Sequence, residues 1–208
     1  MQAEVHRRRS IRLPGYDYSQ VGAYFVTVCT YKRAVLFDDP RYQGIVTRTW
    51  CDLPNHYPQI VLDVYVVMPS HIHGIVLIKD DDPVGAGFKP APTTVGRAST
   101  SNIKHHGLPE IVRAFKTFSA HKINVLRRSP GVPLWQRNYY EHVVRDEAEL
   151  NRIREYINGN PLRWDNDPDN PYSIGISRVE VEMRNILSKS TPSGQLRNTK
   201  LAERTVLS

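Results

Sequence analysis

The chain has little cysteine: two residues in 208, Cys29 and Cys51, and their separation matches no metal-site spacing. Both fall inside segments that read as a strand and a helix, where a thiol in a reducing cytosol behaves as a small buried hydrophobe. Long apolar runs are lacking too. Nothing approaches the ~18 residues of a membrane span, and Met1 to Arg12 is basic without the apolar centre of a secretory signal. The expected location is therefore the cytoplasm, with no membrane partner. Acidic charge is the scarcer sign, 21 Asp and Glu against 28 Lys and Arg, for a formal net charge of +7. That balance favours an acidic polymer as partner but does not choose between DNA and RNA. The length suits one well-formed core rather than two independent domains.

What is present reads as alternating strands and helices. Ala23 to Thr30 is rich in β-branched and aromatic residues and predicts the first strand. Asp39-Pro40 supplies an N-cap and a first-turn proline, and Ile45, Val46, Thr49, Trp50 and Leu53 follow at helical spacing up to about Pro54. Ile60 to Met68 is nearly continuous apolar, as expected of a central strand buried on both faces. A tight Met68-Pro69-Ser70 connection returns the chain as an antiparallel strand, His71 to Ile78. Residues 79–107 are rich in Asp, Pro, Gly, Ser and Thr, and predict a long loop or insertion. A helix follows from about Pro109 to Arg127, with Ile111, Val112, Phe115, Phe118 and Val125 on its buried side. Tyr139 to Arg145 predicts the fourth strand, and Asp146 with Glu149 forms a capping box for a last helix with Leu150, Ile153 and Ile157 on its core stripe. The expected class is α+β: a ferredoxin-like split βαβ, antiparallel sheet with helices on one face, plus the C-terminal helix. Residues 1–14 form a basic leader, 15–164 the domain, and 165–208 a polar tail with at most one short helix near Val179 to Leu187.

The run with most chemical content is His71-Ile72-His73. Strand alternation points both imidazoles to one face and Ile72 to the other, so the pair can chelate one divalent cation with positions left open for a substrate oxygen. Two half-exposed histidines on a sheet would look the same. The last helix adds to the pattern, because at 100° per residue Arg152, Tyr156 and Asn160 form one i, i+4, i+8 row beside the core stripe. Tyr156 is there a potential nucleophile and Asn160 a potential oxygen ligand; a boundary tyrosine and a helix-ending Asn-Pro are the plainer alternatives. Arg113 and Lys116, three apart on the preceding helix, could track a phosphate backbone, as could Arg7, Arg8, Arg9 and Arg12.

Three ordered motifs carry a resemblance: Val66-Val67-Met68-Pro69-Ser70 leading into His71-Ile72-His73, Leu134 to Arg145 (LWQRNYYEHVVR), and Glu155 to Pro161 (EYINGNP). Together they resemble the REP-associated tyrosine transposases, single-tyrosine HUH enzymes, over about Pro14 to Trp164. The resemblance implies a ferredoxin-like endonuclease that nicks and rejoins single-stranded DNA beside a hairpin formed by a palindromic repeat, through a 5′-phosphotyrosine intermediate. It implies Tyr156 as nucleophile, and His71, His73 and Asn160 as ligands of Mg²⁺ or Mn²⁺; imidazole ligation alone would suggest zinc or another transition metal. Arg113, Lys116 and Arg152 are the expected DNA contacts, and no small-molecule substrate is expected. Related transposases include dimers, so a homodimer is compatible with it. Tyr139, Tyr140 and Tyr172 are rival nucleophiles without a partner motif. The readings of other classes are a domesticated DNA-binding protein that has lost catalysis, and a metal hydrolase that uses water.

Overall fold

A computed structural model describes residue 13, residues 15–79 and 106–166, and residue 170. The expected leader, the body of the long loop, nearly all of the tail, Arg7, Arg8, Arg9, Arg12 and Tyr172 lie outside the described residues. Four strands form one antiparallel sheet: β1 (Gly22–Cys29), β2 (Ile60–Met68), β3 (His71–Ile78) and β4 (Tyr140–Val144). Their order is β2-β3-β1-β4, so β3 lies between β1 and the strand that follows β1 in sequence. The helices are α1 (Pro40–Cys51), a single-turn α2 (Leu53–His56), α3 (Leu108–Leu126) and α4 (Glu147–Gly159). Strand-helix order and the mixed α+β class are as expected from the sequence.

The sheet separates two cores. Tyr24, Val26 and Val28 of β1 and Ile72 and Val76 of β3 pack against Val46 and Trp50 of α1 and Ile111, Val112 and Phe115 of α3. On the opposite face, Ala23, Phe25, Ile75 and Val144 pack against Leu150, Ile153, Tyr156 and Ile157 of α4. The C-terminal helix thus covers the face that α1 and α3 leave open. Gly74 is needed for the first core: a Cβ there would lie 2.4 Å from Cζ2 of Trp50. The buried indole meets Phe115 edge-on at 5.2 Å and takes the space a side chain would fill.

Local chemistry sets the helix starts. The Asp39 carboxylate accepts from the Arg41 amide at 2.9 Å ahead of Pro40. At α4 the Asp146 carboxylate accepts from the Glu149 amide at 2.7 Å, and Glu149 reaches back to the Arg145 amide, one residue earlier than a standard capping box. Two contacts then fix α4 laterally: Glu149 shares a hydrogen bond with His142 of β4 at 3.0 Å, and Arg154 pairs with Asp63 of β2 at 2.6 Å.

Three expectations need correction. β2 is an edge strand, not a central one; its apolar run is explained by helices on both faces, while its open edge and a bulge between Leu62 and Tyr65 leave most of it half-buried. On α3 the buried stripe runs Leu108, Ile111, Val112, Phe115, Ser119, Ile123, and Phe118 and Val125 are exposed. Ser119 shifts the stripe because it is a satisfied polar residue: its Oγ donates to the Phe115 carbonyl at 2.6 Å and accepts from Trp135 Nε1 at 2.9 Å. Finally, Cys51 is exposed at the end of α1, 3.2 Å from the Tyr65 hydroxyl, and Cys29 is half-buried.

Gly74→Ala should destabilise the fold by about 1–3 kcal/mol through overpacking against Trp50. Urea unfolding should show a lower midpoint at unchanged slope, and an unaffected midpoint would contradict the close approach.

Candidate active site

β3 places His71 and His73 on the α4 face, both fully buried, and Ile72 in the opposite core. Pairing with β1 sets what they meet: Cys29 lies opposite His71, and Thr27 opposite His73. The two Nε2 atoms are 2.9 Å apart and the Tyr156 hydroxyl is 3.4 Å from Nε2 of His73. Each Nδ1 in turn faces a hydroxyl: Thr27 Oγ1 at 2.8 Å from His73, and Ser70 Oγ at 3.2 Å from His71. Phe25 stacks on His73 with centroids 5.6 Å apart and meets the Tyr156 ring edge-on at 6.2 Å. Trp164, in the 3₁₀ turn Pro161–Asn166, lies 6.0 Å from the His71 ring on the other side.

Burial pushes both imidazoles to the neutral form. Desolvation lowers the His73 pKa to about 3; His71 is also lowered well below its ordinary value, first by desolvation and then by the neighbouring His73 and Arg33. A contact of 2.9 Å between two neutral imidazole nitrogens needs something positive between them, a proton on one or a cation shared by both. With a cation, Thr27 and Ser70 would accept from the Nδ1–H groups and hold both lone pairs inward, the usual second partner of a ligating histidine. Two nitrogens each about 2.1 Å from an ion and about 90° apart stand about 3.0 Å from one another, a spacing that suits octahedral coordination.

A third candidate donor is an oxygen. Asn160 ends α4, is 3% exposed, and its buried Oδ1 has no hydrogen-bond partner among the described residues. An orphaned buried acceptor costs about 1–3 kcal/mol unless a positive group reaches it. Among the described residues no group of three or more His, Cys, Asp or Glu gathers as a metal cage. Two imidazoles and a buried amide oxygen are neutral donors of kinds that a divalent cation accepts.

The remaining expected residues are spread more widely. Arg152, one turn before Tyr156, is half-buried, and its Nε has no partner among the described residues. Lys116 is committed to backbone, donating to the carbonyls of Gln136 and Arg137 at 2.6 and 2.9 Å, and desolvation lowers its pKa. Arg113 is exposed, 3.8 Å from Glu110. Tyr139 packs toward the α3 core and Tyr140 toward Phe25, one to each face. Sequence reasoning missed Thr27, Ser70, Phe25 and Trp164. Ser70 precedes His71 directly and was open to notice; Thr27 and Phe25 needed the strand register, and Trp164 the turn after Pro161.

No family model matches the chain. Among curated proteins, an uncharacterised protein of Haemophilus influenzae is 35% identical over 176 residues, spanning 79% of this chain and 94% of that protein. A second protein of that organism, named "Putative REP-associated tyrosine transposase", is 26% identical over 148 residues, 71% of this chain and 74% of its own length. Among solved structures, a REP-associated tyrosine transposase bound to a REP hairpin aligns over 92% of this chain and 97% of its own, with a TM-score of 0.51 and 19% identity. At that identity the likeness is one of fold.

The neutral imidazoles have a consequence for acid stability. Below pH 6.5 the unfolded chain protonates His71 and His73 while the folded chain does not, so stability present above 6.5 is lost as pH falls toward 3, the folded value for His73. Each imidazole contributes a slope of up to about 1.4 kcal/mol per pH unit. In EDTA, urea midpoints should drop between pH 6.5 and 4.5, and His71→Asn/His73→Asn should flatten that dependence; equal slopes would refute it.

Proposed function

We propose that the chain is a REP-associated tyrosine transposase, a reading supported by 26% identity to a protein of that name and by the fold shared with the hairpin-bound one, and that it nicks and rejoins single-stranded DNA next to a hairpin, with Tyr156 as nucleophile. The observation that carries this is the convergence of the Tyr156 hydroxyl and the two imidazole Nε2 atoms, at 3.4 and 2.9 Å, on a buried face of the sheet. Structural pairing alone gives no reason to bury two neutral imidazoles against a phenol.

In this reading His71, His73 and Asn160 hold a divalent cation, Mg²⁺ or Mn²⁺. When bound, the cation supplies Lewis acidity toward a non-bridging phosphate oxygen. The chain's own groups do the rest. Thr27 and Ser70 fix the imidazole orientation, and Phe25 and Trp164 flank the pair and restrict water. Tyr156 gives its phenolic proton to water, a step that for a phenol of ordinary pKa near 10 needs positive charge close by, and Arg152 one turn away contributes to that field. The phenolate oxygen forms a bond to phosphorus as the bond from phosphorus to the 3′-oxygen breaks. The leaving 3′-oxygen takes up a proton, and the DNA remains attached through a 5′-phosphotyrosine. Attack by the 3′-hydroxyl of another strand reverses the step and returns the tyrosine. The hairpin found on the relative of similar fold makes a DNA hairpin the partner to test first.

The test uses labelled hairpin DNA with single-stranded flanks and Mg²⁺ or Mn²⁺. Wild type should form a covalent adduct that survives denaturing gels, absent in EDTA and in Tyr156→Phe, and reduced about a hundredfold or more in His71→Ala. Cleavage that persists in Tyr156→Phe would instead indicate a water-using hydrolase, and binding without any cleavage a protein that has lost catalysis. Thr27→Val removes one orienting hydroxyl and should weaken metal affinity roughly 10–100-fold by titration calorimetry while the fold persists; unchanged affinity would remove Thr27 from the site.

A further inference from the structure

One feature outside the buried site is a groove of about 800 Å³ between α3 and the segment from Gly131 to Tyr139. Its walls are held by bonds between the two. Asn124 Nδ2 donates to the Val132 carbonyl at 2.9 Å, and Lys116 Nζ to the carbonyls of Gln136 and Arg137. The segment therefore runs antiparallel to the helix at a set distance, and the space between them is built rather than incidental. Its volume falls within the range of small-ligand pockets and has room for a nucleotide.

Three cations, Arg113, Lys116 and Arg137, line it against one carboxylate, Glu110, which is paired with His106 at 2.6 Å. Arg113 and Arg137 are exposed. Tyr139 adds an aromatic wall. Cations spaced along a groove with an aromatic ring are the pattern of single-strand binding, in which phosphates are gripped without sequence choice and bases stack.

Its position ties it to the histidines. The Gln136 amide donates to the Cys29 carbonyl at 2.9 Å, and Trp135 bridges Thr30, so this segment continues the sheet beside the end of β1. Cys29 pairs on its other side with His71. Gln136 is thus two strand spacings, about 10 Å, from the His71 backbone. Between the faces, Tyr139 and Tyr140 place one ring on each side of the sheet edge.

We propose that this groove is a subsite for single-stranded DNA adjoining the cleavage point, with Arg113 and Arg137 on phosphates and Tyr139 against a base. It rests on the reading that the chain acts on hairpin DNA, and it adds where the unpaired flank lies: over the sheet edge and onto the α3 face. Lys116 keeps the groove's shape, and Arg137 is an exposed cation on the wall facing α3, placed to follow the strand.

The experiment measures binding by fluorescence anisotropy in EDTA, so that no nicking intervenes. The probes are a blunt DNA hairpin and the same hairpin with six thymidines at its 5′ or 3′ end. Wild type should bind an extended hairpin about tenfold more tightly than the blunt one. Arg137→Glu should abolish that gain while changing blunt-hairpin affinity less than about threefold, and Arg137→Lys should restore most of it. Equal wild-type affinity for blunt and extended probes, equal losses on both in Arg137→Glu, or no loss on either would overturn the subsite. Extension-dependent, Arg137-dependent binding by a protein that forms no tyrosine adduct would leave the subsite standing and remove only the proposed cleavage. An adduct without extension-dependent binding would do the reverse.

Discussion

The pairing of β1 with β3 is the constraint on which the site depends. In a strand the side-chain period is two, so a slip of one residue would send His71 and His73 into the α1 and α3 core and Ile72 toward α4. The register is secured from both faces. Val28 and Ile72 pair within one core, and Phe25 and Ile75 within the other. Gly74 guards it further, because only a residue without a Cβ can pass under Trp50 at that position. Hydrophobic packing that looks remote from the chemistry is therefore what aims the imidazoles.

Given that aim, burial decides their state. Two imidazoles out of water next to a phenol and an aromatic ring cannot cheaply carry charge, so they stay neutral, each with one N–H and one lone pair. The surrounding hydroxyls of Thr27 and Ser70 suit that state, since each can donate or accept as the tautomer requires. Arg113 and Arg137 stand further out, where water reaches them, while Arg33 acts electrostatically on His71 and Arg152 is half-buried one turn from Tyr156.

Much of this was legible in the chain because it follows from local rules. The bounds of β2 and β3, the alternation of His71 and His73, the capping of α4 by Asp146 and Glu149, and the row of Tyr156 and Asn160 depend on residues a few positions apart. What was not legible depends on residues far apart. That β2 lies at an edge follows from strand order, and an apolar run covered by helices on both faces looks the same in the sequence as a central strand. Ser119 reads as polar until Trp135 supplies its partner, and Lys116 reads as a surface cation until the Gln136 and Arg137 carbonyls are folded over it. Thr27 is an unremarkable strand threonine until β3 is laid beside it.

The attachment of α4 has a mechanical consequence. Tyr156 and Asn160 are one turn apart on a single rod, pinned near its start by Glu149 to His142 and at mid-length by Arg154 to Asp63. A rigid helix cannot withdraw its phenol from the histidines while leaving its terminal amide in place. If those pins loosen, both groups leave as one piece, and if they hold, both arrive together. Tyr156 and Asn160 therefore keep their places together, and the two contacts on the flanks of α4, neither of which involves those side chains, set how firmly the helix is held.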